Sequence, residues 1–293
     1  MQVASNMKQT KAEFKGLRSP KKLILAIVGN VLVFLFTITC FYPIVWLILS
    51  SFKTQAEFDA SAIALPTSLN PRNFIFVLGH SEMPVYMMNS IRNSIIAVIF
   101  ILLFAFINGY FISRFRFRFR KTLYGFYMLA MLVPFHALLV PLYIVMLRTG
   151  LTNAWFTVPL PLIAFNLPIS LFLCESFIGS IPKELDEAAA IDGAGFSRVL
   201  FTIILPMTKP ILVTCAILAF FSAWNEFVFS LILLRDRALY TIPLGLTLLQ
   251  GTFTTDHPRM MAAMVVAMFP ALILYFVFSK QIISGVMAGA IKG

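Results

Sequence analysis

At 293 residues the chain has room for one or two soluble domains, but 60% hydrophobic and 14% aromatic residues against 12% charge exclude that class. A mean hydropathy of +0.90 and several apolar runs of the roughly 20 residues needed to cross hydrocarbon point to a polytopic helical membrane protein. The formal net charge of +11 would suit a nucleic-acid binder, yet the cations fall in short loops beside apolar runs. Nucleic acid is not an expected partner.

In chain order, residues 1–21 read as a basic tail, followed by six predicted spans at about 22–50, 90–113, 122–147, 154–177, 210–234 and 259–283. The fold class is therefore all-α, with six transmembrane helices over 22–283, a loop at about 178–209 and a tail at 284–293. The first span is too long for a cleavable signal and lacks a small-residue cleavage site. Prolines inside the runs (Pro43, Pro134, Pro141, Pro159, Pro161, Pro168, Pro270) are compatible with a bundle whose neighbours satisfy the freed backbone groups. Cys40, Cys174 and Cys215 lie in apolar runs without CxxC spacing and read as small buried hydrophobes.

Orientation follows from the cations. With the N-terminus inside, sixteen Lys and Arg fall on that side and seven on the other, which places both termini in the cytoplasm. The alternating "SRFRFRFRK" (113–121) is then an inside loop, its arginines at lipid headgroups and its phenylalanines in the interface. The outward stretch 51–89 has room for a turn or a short surface helix.

The loop 183–210, "KELDEAAAIDGAGFSRVLFTIILPMTKP", carries four of the twelve carboxylates within nine residues: Glu184, Asp186, Glu187 and Asp192. Pro182 suits a first helical turn, where its missing N–H costs nothing, and the acids that follow complement the helix dipole. The Ala188–Ala190 run favours helix and leaves a smooth face, and Gly193 and Gly195 permit a turn. Phe196, Val199, Leu200 and Ile203 then recur at helical spacing. The expectation is a short helix, a turn and an amphipathic helix at the cytoplasmic surface: a docking element rather than a solvated loop. Pro206 and Pro210 mark re-entry.

This stretch resembles the cytoplasmic signature of binding-protein-dependent ABC importer permeases: Glu-Ala-Ala, three residues, Gly, nine residues, Ile-x-Leu-Pro. Glu187, Ala188, Ala189, Gly193, Ile203, Leu205 and Pro206 fill its named positions, with Asp192 before the glycine. "RNSIIAV", "WNEFVFSLIL", "TIPLGL" and "AGAIKG" are similar to carbohydrate importers, specifically the smaller, MalG-like permease of maltose-type systems, over roughly residues 20–293. The resemblance implies a type I permease architecture in a bacterial or archaeal cytoplasmic membrane. It makes the loop, Glu184 included, a coupling helix seated on a separate ATPase. The implied partners are two ATPase subunits, which bind ATP and Mg, a second homologous permease as heterodimer partner, an extracytoplasmic solute-binding protein and a sugar. This chain carries no cofactor, no catalytic residue and no G-x-x-x-x-G-K-[ST] motif.

Two further segments are candidates. Trp224, Asn225 and Glu226 interrupt the fifth span; an intramembrane carboxylate marks a pathway or a buried structural partner. The outward segment 235–258 resembles the loop that probes the binding protein, with Gln250, Gly251, Thr252 and Phe253 at its tip. A sugar or oligosaccharide is the implied substrate, with glycerol phosphate or another small solute as the alternative. An ion-gradient carrier is the rival from another class and would rest on Glu226 and His136. A metalloenzyme finds no support, since His80, His136 and His257 lie far apart and no metal site is expected.

Overall fold

The computed structural model describes residues 20–249 and 256–290, with side chains for 23–249 and 256–279. The described residues contain helices and no strand. α1 (Pro20–Ser50) is apolar all round, and its side chains from Leu23 to Val45 are largely exposed, Cys40 among them, contrary to the buried role expected of it. A helix without a polar face requires an apolar surrounding, which hydrocarbon supplies. Two short helices, α2 (Gln55–Ala60) and α3 (Arg72–Gly79), cap the end that the cation count assigns to the outside, and are termed the outer cap. α4 (Met83–Arg114) begins earlier than the predicted second span because Pro84, in its first turn, starts a helix at no hydrogen-bonding cost.

The third predicted span is broken. α5 (Arg120–Leu132) ends at extended Val133, and after Pro134 a single 3-10 turn (Phe135–Leu138) leads into α6 (Leu139–Arg148), bent by 94° from α5. A residue before proline is pushed out of the helical region, so the break falls where Val133-Pro134 puts it. α7 (Pro159–Ser180) is continuous, and α8 (Glu184–Ile191) is the loop helix. α9 (Leu205–Trp224) stops short, and α10 (Val228–Leu233) resumes after three residues, dividing the predicted fifth span. α11 (Ile242–Leu248) and α12 (His257–Ala290) complete the chain. Residues 284–290, expected as tail, continue α12. Among the described residues five helices are long and apolar enough to cross a membrane, and the bent pair, taken as one span, makes six.

α4 packs along α7 and against α9, while α12 packs on α9 and α3. Gly109 lets α4 and α7 close up: a Cβ there would stand 3.1 Å from both Cys174 Cβ and the Glu175 nitrogen. Small residues at such a crossing are what helix association in lipid favours. Cys174 and Cys215 are buried as expected, in an apolar cluster with Ile178, Leu200 and Ile204.

The outer cap is more built than a turn. Lys53, 1% exposed, donates through Nζ to Ser61 O (3.1 Å) and Ala62 O (3.0 Å), and the Asn73 amide donates to Ser51 O and Lys53 O (2.8 Å each). Thr54 and Glu57 close a capping box on α2. Glu57 also accepts from the Thr67 hydroxyl. These bonds, led by that from the Thr54 backbone, hold the Glu57 carboxyl down at about 2. The Tyr86 ring packs directly on Gly245, where any Cβ would overlap it at 2.1 Å.

Candidate functional site

The loop helix α8 opens with three carboxylates in its first turn and no side-chain cap. Acids there interact with the exposed N–H groups through the helix dipole. Its N-cap is Lys183, so Pro182 lies just outside the first turn rather than in it. The helix ends in a Schellman motif: Gly193 N–H donates to Ala190 O (3.0 Å) and Ala194 N–H to Ala189 O (2.9 Å), with Gly193 at φ +77°. No atom lies within 4 Å of a Cβ built on Gly193, so the backbone alone demands glycine.

The two faces of α8 differ. Glu184, Glu187, Ala188, Asp192 and Gly193 are exposed, beside Leu185 and Ile191, the latter 86% exposed. Ala189 instead turns inward and is buried against the bundle. Asp186 also turns inward, its Oδ2 2.7 Å from Nε of Arg114, the last residue of α4; the side chains are 18% and 5% exposed. The contact is one of charge rather than an aligned hydrogen bond. Arg114 Nη1 donates to Ile181 O (3.0 Å), so one guanidinium holds both the entry to the loop and its helix. Burial pushes the Asp186 carboxyl up from its ordinary value, opposed by Arg114. The Arg114–Asp186 tie is not legible in the sequence, where Arg114 reads as the first member of an alternating lipid-facing series. Arg114 still belongs to α4, however, and the extended alternation starts only at Phe115.

Past the turn, residues 196–204 do not form a separate surface helix. Phe196–Arg198 leads through a π-helical turn, Val199–Ile204, straight into α9. Pro206 lacks the N–H that would bond back to Thr202, and its ring crowds that carbonyl; the wider turn relieves both. The extra residue in the turn shifts the buried position from Ile203 to Ile204, which is fully buried with Val199 and Leu200. Ile203 and Leu205 pack at the edge of the same cluster, and Pro206 lies in the first turn of α9, exposed. Phe196 sits among Tyr110, Phe111 and Phe115, at 5.6–6.3 Å between ring centroids, and fastens the return of the loop to α4.

The second candidate lies at the break between α9 and α10. Trp224 is buried, its Nε1 donating to Ala267 O (3.2 Å) and its ring stacked on Phe220, so it fastens α9 to α12. Glu226 caps α10: its carboxylate accepts from Phe229 N, from Ser230 N (3.2 Å) and from Ser230 Oγ (2.8 Å). Asn225 is exposed and donates to Phe221 O (2.9 Å). The break at Pro134 meets this one: Pro134, Phe135, Asn166, Ser222, Asn225 and Glu226 line one cavity of about 530 Å³. Phe135, Phe165 and Phe229 form an aromatic wall.

Asn89 donates to Ala238 O (2.8 Å) and Tyr240 O (3.0 Å), and Ser90 Oγ accepts from Ile242 N (2.8 Å), anchoring the start of segment 235–258. Its far end is held by His257 N donating to Gln55 Oε1 (3.0 Å). Gln250, Gly251, Thr252 and Phe253 lie outside the described residues. Among the described residues no cluster of His, Cys, Asp and Glu could hold a metal ion.

Residues 101–286 match the family described as binding-protein-dependent transport system inner membrane component. The chain is 34% identical over 268 residues to a probable ABC transporter permease, YurM, of Bacillus subtilis, spanning 90% of this chain and 87% of that one. It is 34% identical over 275 residues to the trehalose/maltose permease MalG of Thermococcus litoralis, spanning 93% and 98%. The fold matches a chain in the crystal structure of a bacterial ABC transporter that imports alginate, with TM-score 0.82 and 23% identity over 89% of this chain and 98% of that chain. The chain therefore belongs to the binding-protein-dependent transport system inner membrane components, as a multi-pass permease subunit of an ABC transporter.

Proposed function

We propose that the chain forms half of the translocation path of an ATP-driven importer for a sugar or oligosaccharide, with both termini on the cytoplasmic side. A second homologous permease completes the path, two ATPase subunits supply ATP and Mg, and an extracytoplasmic binding protein delivers the sugar. The trehalose/maltose permease, similar over nearly the whole chain, supports the substrate class. The observation that carries the mechanism is the two-faced α8: acids, Ala188 and two apolar side chains face outward, while Ala189 and the Arg114–Asp186 tie fix the other face to α4. A partner that grips the outer face moves α4 and α9 with it. ATP binding does work on the path only if the ATPases bind one of its two states more tightly, so a stiff connection is what the arrangement requires.

The sugar path passes the cavity at the two helix breaks, where Asn166, Ser222 and Asn225 offer hydrogen bonds beside an aromatic wall. Glu226 contributes to its shape and not to ion coupling, since both its oxygens are engaged in capping α10. The test is ATP-dependent sugar uptake by proteoliposomes holding the complete complex with its binding protein. Glu187→Lys, on the exposed face, lowers uptake by about 100-fold, the cost of breaking a buried charge contact, and leaves the thermal stability of the permease unchanged. Full uptake by that variant overturns the assignment of the loop.

A further inference from the structure

A second cavity, of about 580 Å³, opens at the same end of the bundle as α8, between the turn 115–119, the first turn of α5 and the inner end of α7. Arg116, Arg118, Arg120 and Lys121 line it with Tyr124, against the single carboxylate of Glu175. Among the described residues none of these four cations forms an ion pair, and neither does Glu175. The cavity therefore carries three uncompensated positive charges. The first turn of α5 adds to them, having no acidic residue and no side-chain cap, which leaves the positive end of the helix dipole open.

Beside the cavity, α5 presents an apolar rail. Phe126, Leu129 and Leu132 are exposed, and Phe119 stands at the head of the helix. A basic pocket at the head of a helix with exposed apolar side chains matches one ligand shape: an anionic head with acyl chains attached. We infer that this cavity binds the phosphate of an anionic phospholipid, whose chains lie along α5. A free phosphate would satisfy the pocket and leave the rail unused. Basic pockets between membrane helices on the cytoplasmic side hold anionic headgroups by this chemistry. The turn that carries Arg116 and Arg118 also carries Phe115, which packs on Phe196, so the bound lipid adjoins the element that fastens the coupling loop.

The test is native mass spectrometry of the purified complex titrated with phosphatidylglycerol or phosphatidylcholine of matched chains, and with inorganic phosphate as competitor. The wild-type complex retains phosphatidylglycerol in preference to phosphatidylcholine. Arg118→Gln/Lys121→Gln weakens that retention by about 25-fold, at about fivefold for each surface cation lost. Glu175→Gln, which keeps every loop cation and hence the orientation signal, strengthens it by about fivefold on the same scale. Equal retention of the two lipids, or no change in the Glu175→Gln variant, overturns the site. Displacement of the lipid by millimolar inorganic phosphate overturns the lipid assignment in favour of a soluble anion.

Discussion

Two interruptions of the apolar chain carry carboxylates, and they use them in opposite ways. In the loop 183–210, Glu184, Glu187 and Asp192 project from an exposed face. At the break between α9 and α10, Glu226 is buried and turned on its own backbone, where it caps the next helix. Asp186 shows both fates on one helix, since it sits beside Glu187 and yet points inward to Arg114. A buried carboxylate must find donors, because an unpartnered charge in low dielectric costs several kcal/mol. An exposed carboxylate has water and remains available to a partner. Burial, rather than residue type, separates the acids that hold the permease together from those it offers outward.

The contrast can be broken most forcefully at Arg114. Arg114→Met removes the paired charge of Asp186, leaving only the weaker influence of Lys183, and removes the donor to Ile181 O; about 3 kcal/mol of stability is lost, at the lower end for a pair that keeps some solvent access. The combined Arg114→Met/Asp186→Leu variant recovers most of that stability but not uptake, because the tie between α8 and α4 is gone. Thermal unfolding in detergent and uptake in proteoliposomes separate the two effects, and recovered uptake would mean that the tie serves folding alone. Glu226→Ala strands two backbone N–H groups and costs about 2 kcal/mol, whereas Glu226→Gln keeps an acceptor and most of the transport. A Gln variant of wild-type stability without transport would move Glu226 from cap to pathway.

Smaller effects sharpen the picture. Gly193→Ala meets no neighbouring atom, so its cost is confined to backbone strain at positive φ, about 1–2 kcal/mol, read as lowered thermal stability and faster protease cleavage of the loop. On the outer cap, Thr54→Ala removes one side of the capping box at about 1 kcal/mol. Glu57 lies below its ordinary value, so its contribution is present above the unfolded carboxylate pKa and is lost as pH falls through the folded value of about 2. Limited proteolysis of the cap should therefore be unchanged between pH 7 and about pH 5, and a cap that loosens within that range would contradict the Glu57 contacts.

Hydropathy, proline positions and the loop signature specify much of this protein directly from its residues. Apolar length alone marks the spans, since no shorter run crosses hydrocarbon and none so long suits water. Gly193 is legible because only a left-handed turn explains glycine after that helix. Val133-Pro134 carries the signal for the broken third span, but transmembrane helices often tolerate proline, so the 94° bend depends on what surrounds it. The shift to Ile204 and the cap that restarts α10 have local causes, Pro206 and Glu226, whereas the inward turn of Ala189 and Asp186 and the meeting of two helix breaks on one cavity were decided by tertiary structure. The latter two depend on which groups lie within about 3–4 Å across elements distant in sequence, and local periodicity does not encode those distances.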